Sequence, residues 1–155
     1  MGSAAEDVAL QARTISMDVE DDIAFNQVAI DAVDTGTNGG GSITLDAAGD
    51  LTIVKGRMDS AGDTAGAGGD ISITADSLAD ITAGTDTNRS ASGELAIDVD
   101  GAVNINNVGY AGATLDLDAQ SLTVGNAGSL GSTGNAEFDL LGAASRHGTH
   151  NKEGE

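Results

Sequence analysis

The side chains best equipped for chemistry in this chain are carboxylates, and most of them are aspartate: 19 of the 25 acidic residues. Pairs such as Asp46/Asp50, Asp98/Asp100, Asp116/Asp118 and Asp59/Asp63 could supply Ca²⁺, which takes six to eight oxygen ligands. Their spacing does not follow the known loops. No Asp-x-Asp-x-Asp-Gly stretch ends in Glu, and Gly68-Gly69-Asp70 lacks the intervening positions of a Gly-Gly-x-Gly-x-Asp nonapeptide. Asp at alternate positions beside Leu115 and Leu117 is also what a solvated strand face requires. Asp59, Asp63, Asp98, Asp100, Asp116 and Asp118 therefore stand as Ca²⁺ candidates without a specific site. Diffuse cation uptake by an acidic surface is the stronger expectation, because stacked like charges repel and counterions relieve the repulsion.

Paired carboxylates also cleave glycosidic bonds, but such sites need sugar-stacking aromatics or basic partners. The chain has three aromatics and six basic residues. Its two histidines, His147 and His150, sit in a polar C-terminal stretch with Glu153, a setting for adventitious metal binding and not for a catalytic triad. Gly39-Gly40-Gly41 and Gly66-Ala67-Gly68-Gly69 lack the Lys-Ser/Thr of a phosphate loop. No catalytic residue and no cofactor are assigned. Arg57, Arg89 and Tyr110 fall in Gly-rich segments and are expected on contact loops. Lys55 and Arg57 form the one close basic pair, placed to bridge Asp59 or an adjacent turn.

The composition excludes several classes of partner. At 155 residues the chain holds one domain, and a formal charge of −19 opposes nucleic acid and anionic membrane surfaces. There is no Cys, hence no disulfide frame or thiolate chemistry. No apolar run approaches the roughly 20 residues of a spanning helix. Residues 1–5 read as a cloning scar or disordered start, 6–141 as the fold and 142–155 as a disordered polar tail.

The elements that must carry these side chains are short strands. Apolar residues alternate with polar ones at Ile43/Leu45, Ile71/Ile73, Leu95/Ile97 and Leu115/Leu117, with weaker copies at Val8/Leu10, Ile23/Phe25 and Phe138/Leu140. A second alternating pair follows each time: Val28/Ile30, Leu51/Ile53, Val103/Ile105 and Leu122/Val124. Leu78 and Ile81 break this alternation by one residue, which predicts a bulge or shifted corner. Val8 to Ala12 also fits a short helix; strand is the reading adopted. Units of about 20–28 residues, each with two or three strands, imply stacked coils, since one coil cannot bury its own apolar face. The reading is all-β: a parallel β-helix (β-solenoid) of about 6–7 rungs, with Ile43 stacked between Ile23 and Ile71. Strands about 4.8 Å apart would make a rod of roughly 30 Å. A narrow interior of Ile, Leu, Val and Ala has little room for rings, which accounts for the aromatic deficit.

The phrases Gly-Gly-Gly-Ser-Ile-Thr-Leu-Asp-Ala-Ala-Gly-Asp-Leu-Thr-Ile (39–53), Gly-Gly-Asp-Ile-Ser-Ile-Thr-Ala (68–75) and Asp-Gly-Ala-Val-Asn-Ile-Asn (100–106) resemble coils of filamentous-haemagglutinin-like bacterial adhesins. The resemblance spans about residues 20–141. It implies a right-handed parallel β-helix from a large secreted or surface-displayed bacterial protein, exported by two-partner secretion or as an autotransporter. The family's export domain usually carries Asn-Pro-Asn-type motifs. This chain has no Pro, so the match is to the shaft alone and transfers no functional residue.

The function expected is structural and adhesive: a stiff acidic shaft, extracellular or on the bacterial surface, whose insertions at 56–69 and 84–93 meet a host or neighbouring-cell protein or glycan. The alternative is a Ca²⁺-dependent surface-layer, matrix or filament-forming protein. A polysaccharide-acting β-helix enzyme ranks below both. Neither end shows a cap, which implies end-to-end self-association or a truncated shaft.

Overall fold

The computed structural model describes residues 8–32, 40–60, 69–81, 88–125, 127–142 and 144–146. All regular structure in them is strand. The first stretch holds β1 (Val8–Gln11), β2 (Thr14–Val19), β3 (Ile23–Phe25) and β4 (Val28–Asp31). Next come β5 (Ser42–Ala47), β6 (Asp50–Ile53), β7 (Gly56–Asp59), β8 (Ile71–Ala75), β9 (Ser77–Asp80) and β10 (Asn88–Ser90). The remainder comprises β11 (Glu94–Ile105), β12 (Gly109–Gly112), β13 (Thr114–Val124), β14 (Ser129–Ser132), β15 (Ala136–Leu140) and β16 (Ala144–Arg146).

Every pairing is parallel and joins a strand to its counterpart one turn later, the signature of a β-solenoid. The coil has three sides. Face A stacks β2, β5, β8, the first half of β11, the first half of β13, and β15. Face B stacks β3, β6, β9, the second halves of β11 and β13, and β16. Face C stacks β1, β4, β7, β10, β12 and β14. Faces A and B form one ten-stranded sheet because β11 and β13 run round the corner between them. A register shift between Val99 and Ala102 marks that corner, where Asp100-Gly101 replaces a single residue of the next turn. The result is about five turns: 14–31, 42–59, 71–90, 94–112 and 114–132, followed by β15 and β16.

Period-2 alternation explains the interior. Inward residues of face A form the columns Ile15–Ile43–Ile71–Leu95–Leu115 and Met17–Leu45–Ile73–Ile97–Leu117, and Leu45, Ile71, Ile73, Leu95 and Leu117 are wholly buried. On face B, Ile23, Leu51, Leu78, Val103 and Leu122 stack the same way. Each such side chain contributes about 1.5–3 kcal/mol of burial. The expected count of six or seven rungs is thus too high, and Ile43 lies over Ile15, not Ile23. The pair at 23 lies on face B of the turn that carries β2, and the pair at 8 lies on face C one turn earlier, stacked on β4. Alternation says which residues point inward but not which side of the coil they line. Phe138 likewise stacks on Leu117 and not on Leu115.

Corners are held by hydrogen bonds between turns. The Asp22 carboxylate accepts the Asp50 N–H at 2.8 Å, Asp50 accepts the Ser77 hydroxyl at 2.6 Å, and Asp70 accepts the Glu94 N–H at 2.8 Å. Part of the acidic excess therefore caps backbone in the following turn. Gly69 is required where the third turn meets the second, since a Cβ there would collide with the carbonyl oxygens of Ser60 and Gly41. Gly56 opens β7 at φ 154°, and a Cβ would strike the Val28 carbonyl below it.

Candidate functional site

The aliphatic interior is interrupted in the third turn. On face B the inward column runs Phe25–Ile53–Asp80–Ile105–Val124, and on face C it runs Leu10–Ile30–Met58–Arg89–Tyr110–Leu130. Asp80 and Arg89 are completely buried, and Tyr110 is 1% exposed. They meet across the lumen. Arg89 Nη2 lies 2.8 Å from Asp80 Oδ2, and the Tyr110 hydroxyl donates to the same oxygen at 2.8 Å. Arg89 Nη1 donates to the Gly56 carbonyl in the turn before, at 2.6 Å. The guanidinium carbon stands 5.9 Å from the Tyr110 ring centroid, within cation–π range. Burial, and then the charge of Asp80, push the Tyr110 hydroxyl well above its ordinary pKa against the opposing pull of Arg89. Tyr110 therefore stays protonated and remains a donor.

This corrects the expectation that Arg89 and Tyr110 are contact-loop residues. Both lie in strands, β10 and β12, and point inward. Gly109 and Gly112 belong to a strand with small residues and not to a loop. A depression of about 270 Å³ on the outside of face C is lined by Ser90, Gly109, Ala111, Ser129 and Gly131, with Arg89 and Tyr110 beneath. Given their burial, those two supply backbone there and not side-chain chemistry. The break at Leu78/Ile81 has the same origin. Leu78 keeps its column, Asp80 takes the next inward place, and Ile81 is left 48% exposed. The register of β9 on β6 is regular, so the irregularity is one of residue type and not a bulge.

Arg57 is the contact-loop candidate that does face outward, its side chain 51% exposed. It bridges Asp31 in the turn below, as expected of a basic residue reaching an adjacent turn. Asp59 is half-buried beside Asp31 in register. Asp98 and Asp118 stack on face A and continue to Asp139; Asp18 and Asp46 occupy the same column nearer the start, with Thr74 between. Asp116 projects beside Asp118, opposite Ala96 and Glu137, and Asp100 sits at the corner shift. Although Asp118 is exposed, desolvation first, and then the carboxylates of Asp116, Asp139 and Asp98, raise its pKa above the ordinary aspartate value. Among the described residues, no group of three His, Cys, Asp or Glu is gathered so as to hold a metal ion. Asp63, His147, His150 and Glu153 lie outside the described residues.

No protein-family model, no curated protein and no solved structure matches the chain.

Proposed function

We propose that this chain is a shaft segment: a stiff, acidic structural unit of a larger adhesive assembly at a bacterial surface, with contacts made by connections that leave the coil. One observation carries the reading. Parallel ladders run without interruption through about five turns around a single core, and such an architecture resists bending and stretching along its axis because every turn is bonded to the next. Outward positions on face A are small, hydroxylated or acidic, which suits a solvated rod. The resemblance of 39–53, 68–75 and 100–106 to filamentous-haemagglutinin-like coils points the same way. Contact is assigned to the connections containing residues 33–39 and 61–68. The strands before them, β4 and β7, lie on face C, and the strands after them, β5 and β8, lie on face A. Residues 56–59 and 88–90, once part of the expected contact loops, are strands.

The test is adhesion of protein-coated beads to cultured cells and to glycan arrays, comparing the full chain with a variant in which 61–68 is replaced by a short Gly-Ser link. Adhesion by the full chain that falls in the variant supports the reading. A full chain that adheres to nothing, or a variant that adheres equally well, overturns the adhesive half of it.

The Asp column of face A favours a second reading, a structural protein whose stability responds to divalent cations by relief of like-charge repulsion. Melting followed by circular dichroism in Ca²⁺ and in chelator separates the two: equal melting temperatures at matched ionic strength leave only the shaft.

A further inference from the structure

We infer that the Asp80–Arg89–Tyr110 cluster is a register pin, which sets how the second, third and fourth turns stack on one another. The aliphatic columns cannot do this alone. A slip of one residue would turn a strand's apolar set outward, but a slip of two keeps every inward residue inward. On face A such a slip sets Ile43 against Ile73, or Ile71 against Ile97. These exchanges replace one branched aliphatic by another of similar volume, a change cores tolerate well. The inward columns thus discriminate poorly between the native stacking and its two-residue neighbours.

The polar cluster discriminates sharply. Arg89 reaches back to the Gly56 carbonyl in the second turn, holds Asp80 within the third, and Tyr110 reaches Asp80 from the fourth. Shifting the second turn removes the acceptor from a buried guanidinium, and shifting the fourth removes a donor from a buried carboxylate. Both groups are fully enclosed, so water cannot replace the lost partner, and a buried charge without its partners is strongly unfavourable. The connection between face A and face B in this turn is the single residue Asp76. A slip of β8 is therefore transmitted to Asp80. The cluster's position in the middle of the coil lets one set of contacts fix three turns.

The test uses the absence of native cysteine and crosslinking in the full chain. Outward residues Ser72 and Ala96 are stacked in register, so S72C/A96C reports the native stacking, whereas T74C/A96C reports a two-residue slip. Adjacent parallel strands bring such residues within disulfide reach. Each pair is introduced into the unaltered background, into D80L/R89M/Y110F, and into the milder Y110F. The pin predicts that the triple variant stays folded by circular dichroism while the T74C/A96C crosslink rises several-fold relative to S72C/A96C, with a smaller rise in Y110F. If the triple variant folds with an unchanged ratio, the cluster does not set register and the inference is wrong. If it does not fold, Y110F decides: a raised slipped fraction upholds the pin, and an unchanged one shows that the cluster supplies stability only.

Discussion

Face A and the joint between faces B and C in the third turn are built from parallel strands with the same period-2 alternation, yet they hold together differently. On face A, Ile, Leu and Val stack on their like, and neighbouring turns are nearly interchangeable. At the joint, a carboxylate fills the position that neighbouring turns give to Ile53 and Ile105, and a guanidinium and a phenol fill those given to Met58 and Leu130. The first region gains stability from burial, which is non-directional. The second gains little net stability from its charges, because desolvation offsets their attraction, but its geometry admits one arrangement. A solenoid needs both: uniform columns to make turns stack at all, and one irregular turn to say which stacking is native.

Substitutions in the two regions should differ in size and in whether they can be rescued. The largest effect is expected from Arg89→Ala, which strands Asp80 in the lumen and should cost about 3–5 kcal/mol in urea unfolding; a loss below 1 kcal/mol would mean the site is wetter than its complete burial implies. Ile73→Ala, at the centre of a face A column, should follow at about 2–5 kcal/mol, scaling with the cavity left behind. Its cost should fall if a neighbouring column residue is enlarged, whereas no such rescue is expected for Arg89→Ala. Tyr110→Phe removes one hydrogen bond and keeps the ring, for about 1–2 kcal/mol. Arg57→Ala removes a half-exposed partner but leaves the buried Asp31 carboxylate behind, and should cost about 1 kcal/mol.

The Asp column gives the gentlest effect, and it appears as a pH slope. Asp118 has a raised pKa in the fold, so its proton binds more tightly there than in the unfolded chain. The stability this contributes is complete below the ordinary aspartate value and is lost as pH rises through the raised value. Melting temperatures measured from neutral pH downward should show Asp118→Asn gaining less on acidification than the unaltered chain. Parallel curves would remove the column from the account.

Much of the architecture was legible in the alternation. Ile43, Ile71, Leu95 and Leu115 stand in one column as their pattern implied, and the corners at 48–50, 100–102 and 119–121 fall where short polar stretches separate apolar pairs. The sides of the coil were harder to read. Val8, Ile23 and Ile43 look like three repeats in sequence but stand on faces C, B and A; the first strand of face A is Thr14–Val19, where Ile15, Met17 and Val19 alternate with Thr14, Ser16 and Asp18. The buried cluster is hidden in the sequence for a related reason. Arg89 and Asp80 have the composition of surface residues, and Tyr110 between glycines resembles a loop tip. The one available signal was the broken alternation at Leu78/Ile81, where an Asp stood at the parity reserved for a core residue.

Short strands, inward aliphatic residues, mostly outward aspartates and the need for turns to stack all follow from the order of residues along the chain. Those properties are local, set by a period of two and by the cost of leaving apolar surface in water. Tertiary structure alone decided which strands share a side and why two charges lie in the core. Asp80 meets Tyr110 across 30 residues, and Arg89 meets Gly56 across 33. A charge is admitted to the interior only when its partners are already in place, and that condition is met by the stacking of turns and by nothing within a single one.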